Sequence, residues 1–581
     1  MKSTKRLVCI VLAAAMLVGA ISVFAVWMVK HQPDGTDTDQ ETDGTVDHIV
    51  DDTVLESFAP LQVKTDTSFF EDKFKNSVDS EEGEFINKTY DAFPVSGNTT
   101  NLQSHGTATY ANINGETVMA DAFFRVKNEA LNDPNTGLGL LLYQCLQYKI
   151  KNPDADVKIC FSSYRISPTL AVCVLPESRY YGYLRALHGD GKDYDKNGFV
   201  RIVYMLVEAA KMGIDVTIVG QLNSYGVKQQ DKNGTISYKS EPSFIEYFNN
   251  GLKQDCYTKY APGKKVSDFM NFKPVEWSLA DKGGTDMMHV KCLAVSHYLS
   301  TDGVEYENAV FLSSSNLDTV DYMGRNGNNG AQSGIILTGH KEIYNATYNY
   351  MQIMAEYYEQ EKLYEMREVV NSRNTAQAAL ILAGREDEIP EDEQIIYLGS
   401  DTDKIFKVYF TPIGGDFDEW NTDLNPYCEH AQNLYESSIK YPNEPLVYVF
   451  NCASYTRTFG VSETMANMIH SAFLNTKNKE NRLYIRALNY EYSDISKLKV
   501  GRDIGFLYLK KSSVGVHSKD MQFSYVKDDQ RYYVSLLSSC NFHSGAPYYQ
   551  TNSMLTVTET EETGNVFYTV FGRASAGGCI E

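Results

Sequence analysis

His289-Val290-Lys291 and His517-Ser518-Lys519 are one short pattern, a histidine and a lysine two residues apart, written twice in a chain of 581 residues. Alternate residues of an extended segment point to the same side, so each copy aims an imidazole and an ammonium at one place. A single copy says little, because polar residues alternate on many strands. Each copy here is followed, after a β-rich run, by a Ser-Ser-x-Asn cluster: Ser313-Ser314-Ser315-Asn316 and Ser538-Ser539-Cys540-Asn541. Pattern and cluster together mark corresponding points of an internal repeat.

The flanking sequence repeats with them. Leu138 to Ile150 predicts a helix broken at Asn152-Pro153, and Val157 to Tyr164 (VKICFSSY) predicts a strand buried on both faces. Val200 to Lys211 predicts the next helix, stopped at Gly213, and Ile214 to Val219 the next strand. In the second half Pro426 to Lys440, Leu446 to Tyr455, Ser462 to Leu474 and Leu483 to Leu488 give helix, strand, helix and strand in the same order. The Leu446 strand ends in Ser454-Tyr455 as the earlier one ends in Ser163-Tyr164. Further strands are expected at Thr107 to Asn112, Ala309 to Leu312, Ile335 to Leu337 and Tyr532 to Leu537. This alternation predicts an α/β fold with a parallel or mixed sheet in each of two similar lobes, 57–345 and 401–581. A helical, Tyr- and Glu-rich crossing at 346–400 joins them and carries the exposed acidic run Glu386 to Glu393. The polar stretch from Gln221 to about Lys265 is long enough to be a functional insertion or lid.

Ahead of the lobes, Lys2, Lys5 and Arg6 precede an uncharged apolar run from Leu7 to Val29. As a helix this run reaches roughly 34 Å at 1.5 Å per residue, enough to span a hydrocarbon layer of about 30 Å. The basic flank stays in the cytoplasm, so 1–30 is expected to be a transmembrane anchor with everything after it outside the cytoplasm. Cleavage as a signal peptide is the alternative, given the small residues Ala20 and Ala25. Residues 31–56 read as a flexible stalk: from Pro33 to Glu56 there are nine acidic residues and no Lys or Arg, too little apolar surface to offset chain entropy.

Composition bounds what the body can be. Hydrophobic residues at 43 % and charged residues at 22 % exclude both wholesale disorder and a many-span membrane protein. The net charge of -22 argues against tight, non-specific nucleic-acid binding, although a local basic groove can coexist with it. The ten cysteines form no C-x-x-C pair and no zinc-spaced cluster; Cys160 and Cys452 lie in apolar runs as packed thiols, and disulfide pairing of others is open.

Two imidazoles and two ammoniums converging on one site suit a phosphodiester. A neutral imidazole attacks phosphorus, a protonated one gives its proton to the leaving oxygen, and water then hydrolyses the phosphohistidine. The lysines offset phosphoryl charge without a metal, and Ser and Asn side chains add hydrogen bonds. No cofactor is called for.

The arrangement resembles the phospholipase D superfamily, whose motif is H-x-K-x4-D followed by a Gly-Ser-x-Asn strand end, twice in one chain. The resemblance covers roughly 135–345 and 400–560. It implies two phospholipase D-like lobes packed about a pseudo-twofold axis. By matching position it implies His289, Lys291, Ser314 and Asn316 as one half-site and His517, Lys519, Ser539 and Asn541 as the other. His289 is then the nucleophile and His517 the acid and base. Ser296 and Ser524 stand where the family has Asp, and Ser313 and Ser538 where it has Gly. Asp520 or Asp528 could take the Asp's place only if the strands run differently. The implied function is a membrane-anchored phosphodiesterase with phospholipid as the favoured substrate. A nuclease acting on single-stranded nucleic acid, or an inactive homologue that binds phosphate esters, is the alternative. No obligate protein partner is expected.

Overall fold

The computed structural model describes residues 105–572, apart from 114–115, 126–133, 165, 167–171, 175–198, 222–226, 231–235, 240–243, 276–286, 301–302, 318–331, 400–403, 413–425, 456–460, 477, 479–480, 491–505, 512–516, 542–549, 566 and 570. The expected anchor and stalk, 1–56, lie outside the described residues. Among the described residues no helix is long and apolar enough to cross a membrane.

In the first lobe β1 (His105–Ile113) and β2 (Glu116–Arg125) precede α1 (Pro134–Lys151), β3 (Lys158–Ser163), β4 (Val172–Val174) and β5 (Phe199–Arg201). Then come α2 (Ile202–Lys211), β6 (Asp215–Gln221), β7 (Val227–Gln230), β8 (Ile236–Lys239), α3 (Phe244–Gly251) and β9 (Met270–Val275). β10 (Met287–Met288), β11 (Cys292–Leu299), β12 (Glu305–Ser313) and β13 (Gln332–Thr338) complete it. The crossing is α4 (Lys341–Glu356) and α5 (Leu363–Leu382), followed by the exposed turn Glu386–Glu388. The second lobe runs β14 (Phe406–Phe410), α6 (Pro426–Lys440), β15 (Val447–Tyr455), α7 (Val461–Asn475), β16 (Arg482–Tyr490), β17 (Phe506–Lys511), β18 (Lys519–Lys527), β19 (Gln530–Ser538), β20 (Gln550–Thr551) and β21 (Ser553–Thr560).

The two sheets correspond strand for strand. The first has the order β1-β2-β13-β12-β11-β3-β6-β9 and the second β14-β21-β19-β18-β15-β16-β17. With β1 set aside, both run through four antiparallel pairings and then two parallel ones. The mixed α/β fold in two lobes is therefore borne out. Register also corrects one sequence parallel. Cys292 lies opposite Ser162, and Asp520 lies opposite Asn451, so Ser162 matches Asn451 and the two Ser-Tyr strand ends are offset by two residues. An offset of two leaves side chains on their original faces, which is why the apolar pattern survives it.

Period-2 alternation lets each sheet bury both faces. In β11, His297 stacks on Tyr148 of α1 with ring centroids 5.0 Å apart, while Cys292, on the opposite face, meets Met351 of α4 at 3.4 Å. α2 ends at Gly213, whose φ of +72° suits a residue without Cβ. Gly339, at φ +81°, is tighter: a Cβ there would lie 2.5 Å from the carbonyl oxygen of Thr117. Gly339→Ala combines left-handed strain of about 1–2 kcal/mol with a backbone clash, and is expected to lower stability by about 2–3 kcal/mol in denaturant unfolding.

The lobes are joined by polar anchors within a continuous apolar core. Tyr350 of α4, fully buried, donates to the Thr411 carbonyl at 2.6 Å and stacks on Phe410 at 4.4 Å. Asn374 of α5 donates to the carbonyls of Phe410 and Pro412, and Tyr110 of β1 donates to Glu559 of β21 at 3.1 Å. β10 pairs in parallel with β20, which carries the backbone just before His289 across to the second lobe.

Candidate active site

His289-Val290-Lys291 forms the extended link between β10 and β11, and His517-Ser518 leads into β18, whose first residue is Lys519. Both stretches leave their sheets at the ends that meet, and the two imidazoles lie 6.5 Å apart, centroid to centroid, at 57°. A near-attack arrangement needs reacting atoms about 3–3.5 Å apart, so the ring separation is of the order that one phosphoryl group shared by two imidazoles would need. The sequence-predicted histidines and lysines of both half-sites are thus brought together. His289, Lys291 and Lys519 are buried and His517 is half-buried.

Each histidine is held by the other lobe. His289 Nδ1 lies 3.1 Å from Oδ1 of Asn552, and His517 Nδ1 lies 3.2 Å from Oε1 of Gln332. Asn552 cannot turn its amide, because its backbone N–H and Nδ2 both donate to Thr411 Oγ1, which itself donates to the Gln550 carbonyl at 2.5 Å. Oδ1 therefore faces His289 as an acceptor. That assigns the imidazole proton to Nδ1 and leaves the Nε2 lone pair available.

Gln332 and Asn552 are the residues that sequence reasoning missed. The signal was an amide-Ser pair, Gln332-Ser333 and Asn552-Ser553, opening the strand after each Ser-Ser-x-Asn cluster. The cluster serines serve those amides. Ser314 Oγ donates to Gln332 Oε1 at 2.7 Å and accepts from the Ser333 N–H, while Ser539 Oγ lies 3.4 Å from Asn552 Oδ1 and accepts from the Ser553 N–H. Asn316 is buried and Asn541 half-buried at the ends of the same clusters.

The lysines are placed alike: Lys291 Nζ donates to the His289 carbonyl at 2.6 Å, and Lys519 Nζ to the His517 carbonyl. An ammonium has three protons, so this contact leaves donors for a phosphoryl oxygen. Tyr164, at the end of β3, puts its ring 5.2 Å from His289 and 5.3 Å from Lys291 Nζ. Burial first, then Lys291, Lys519 and His517, hold the His289 imidazole well below the usual histidine range, against a smaller opposing effect of Asn552. It is neutral at pH 7.

The positions where the resemblance implies Asp lie away from this chemistry. Ser296 Oγ accepts from the Lys158 N–H at 2.9 Å, and Ser524 Oγ from Arg531 at 3.2 Å, both within the sheets. Six described cysteines, Cys145, Cys160, Cys256, Cys292, Cys428 and Cys540, are buried free thiols.

No protein-family model matches the chain, and no curated protein matches it. Among solved structures it is similar to polyphosphate kinase from Porphyromonas gingivalis, at 9 % identity and TM-score 0.35 over 75 % of this chain, spanning 47 % of that one. It is similar to yeast tyrosyl-DNA phosphodiesterase at 9 % identity and TM-score 0.31, covering 75 % of this chain and 90 % of that one. It is also similar to phosphatidylserine synthase from Haemophilus influenzae, at 10 % identity and TM-score 0.36, covering 76 % and 83 %. Two matching sheets that close on a paired His-x-Lys site agree with the two-lobed mixed α/β fold expected from the sequence.

Proposed function

We propose that the protein is a phosphodiesterase of phospholipase D type that cleaves through a phosphohistidine on His289, without metal. One observation carries this reading: two imidazoles 6.5 Å apart, each fixed at Nδ1 by an amide from the opposite lobe. Neutral His289 attacks phosphorus through Nε2, and His517 gives a proton to the leaving oxygen. Lys291 and Lys519 offset the charge gathering on the phosphoryl oxygens, and Asn316 and Asn541 hydrogen-bond them. Water then attacks the phosphohistidine with His517 as base. The apolar run at Leu7 to Val29 supports a membrane anchor with the body outside the cytoplasm, which brings the site near headgroups and favours a phospholipid.

The test is turnover of labelled phospholipid vesicles and labelled single-stranded DNA by the full chain in EDTA. Lipid cleavage in EDTA is expected. Cleavage of DNA alone would move the substrate to nucleic acid, loss of activity in EDTA would end the metal-free mechanism, and no turnover of either would leave a binding protein. The depressed His289 also fixes a sign. Its neutral form persists as pH falls below the ordinary value of 6.5, so the acid limb of kcat/KM is expected to lie well below pH 6.5, as a pH-rate profile would show.

A further inference from the structure

Among the buried positions at which the two half-sites differ, one carries a carboxyl group. The residue after the first lysine is Cys292, packed on Met351; the residue after the second is Asp520, fully buried. Strand register sets Asp520 beside Asn451 of β15 and Leu537 of β19. Its carboxylate leaves its own lobe: Ser333 Oγ of β13 donates to Asp520 Oδ1 at 2.5 Å. Ser333 is bonded in turn through its N–H to Ser314 Oγ, which donates to Gln332 Oε1, the acceptor that faces His517 Nδ1. A chain of hydrogen bonds thus links a carboxyl group to one histidine of the pair. The link to His289 is built instead from Asn552 and Thr411, both neutral.

We infer that Asp520 is the positioning residue that makes the half-sites unequal, holding Ser333 and Gln332 against His517 so that this imidazole keeps the proton it gives to the leaving oxygen. A carboxylate close to an imidazole favours the imidazolium, and one that also orders its acceptor fixes the ring. Lys519 is the charged group acting on the Asp520 carboxyl, and Ser333 and Ser518 hydrogen-bond it; β15 and β19 place the uncharged Asn451 and Leu537 next to it. Burial pushes the Asp520 carboxyl up to about 7, opposed by Ser333, Lys519 and Ser518, so its charge develops over the neutral range in which His517 must hold its proton. The leaving-group half of this assignment rests on the phosphodiesterase reading. The electrostatic half does not.

The experiment is NMR titration of 13C-labelled histidines in the full chain, with the His517 signal assigned by its loss in His517→Gln. Asp520→Asn is expected to lower the His517 pKa by about 0.5–1 unit, and Ser333→Ala, which breaks the link from the other lobe and keeps the charge, by less. A His517 titration unchanged in both variants overturns the inference whether or not the protein turns anything over. On substrates, Asp520→Asn should slow a diester with an alkoxide leaving group about tenfold and one with a p-nitrophenolate leaving group less than about threefold. Equal losses on both would reduce Asp520 to a structural residue. No turnover of either by the unaltered chain would count against the function and leave the titration standing.

Discussion

His289→Ala is expected to lower turnover by about 10⁴-fold or more and to remove the covalent intermediate, because it takes away the attacking Nε2. His517→Ala should behave differently. It leaves the attacking Nε2 intact and removes only the proton for the leaving oxygen, so an alkoxide diester should slow by about 10²–10⁴-fold. A p-nitrophenolate leaving group, which departs without a proton, should be far less affected, and the adduct should then accumulate because its hydrolysis lacks a base. Single-turnover kinetics on the two diesters check both statements. Equal losses for both variants on both substrates would mean that the histidines do not divide the work.

Asn552→Leu is the second large effect. The amide is buried and does two things: Oδ1 faces His289 Nδ1, and Nδ2 and the backbone N–H meet Thr411. Leucine conserves much of the volume, yet leaves His289 Nδ1–H without its acceptor at about 1–3 kcal/mol, while Thr411 Oγ1 keeps the residue-552 backbone N–H and the Gln550 carbonyl. With no acceptor at Nδ1 the proton can sit on Nε2, and that tautomer cannot attack. Turnover is expected to fall by about 10²–10³-fold with little change in KM. Asn552→Asp provides the contrast. It keeps the acceptor and adds a charge that favours the imidazolium, so the acid limb of the pH-rate profile should move upward. An Asn552→Leu protein that turns over normally would show that the amide does not set the tautomer.

The histidines and lysines were legible in the sequence because period-2 alternation needs only neighbouring residues and the repeat supplied a second copy. Gln332 and Asn552 were not, because their partners lie in the other lobe: His517 for Gln332 and His289 for Asn552. No spacing rule along one strand encodes which lobe will supply an acceptor. The same fact resolves the serines at 296 and 524. Each imidazole is ordered by an amide across the seam, and both hydroxyls serve the sheets. Strands β9 and β17 escaped because Met270–Val275 alternates over only four residues before Pro274, Phe506–Lys511 does not alternate, and each pairs only at a parallel edge. Asp520 was noticed in the sequence, but its place opposite Ser333 is a product of packing.

The most direct test of the central claim is rapid acid-free quenching of the full chain with a labelled diester in EDTA, followed by mapping of the label by mass spectrometry. The account predicts an acid-labile, base-stable phosphoramidate on His289, absent from His289→Ala and enriched in His517→Ala. Turnover with no labelled histidine, or a label on His517 with His289 unmodified, would contradict it.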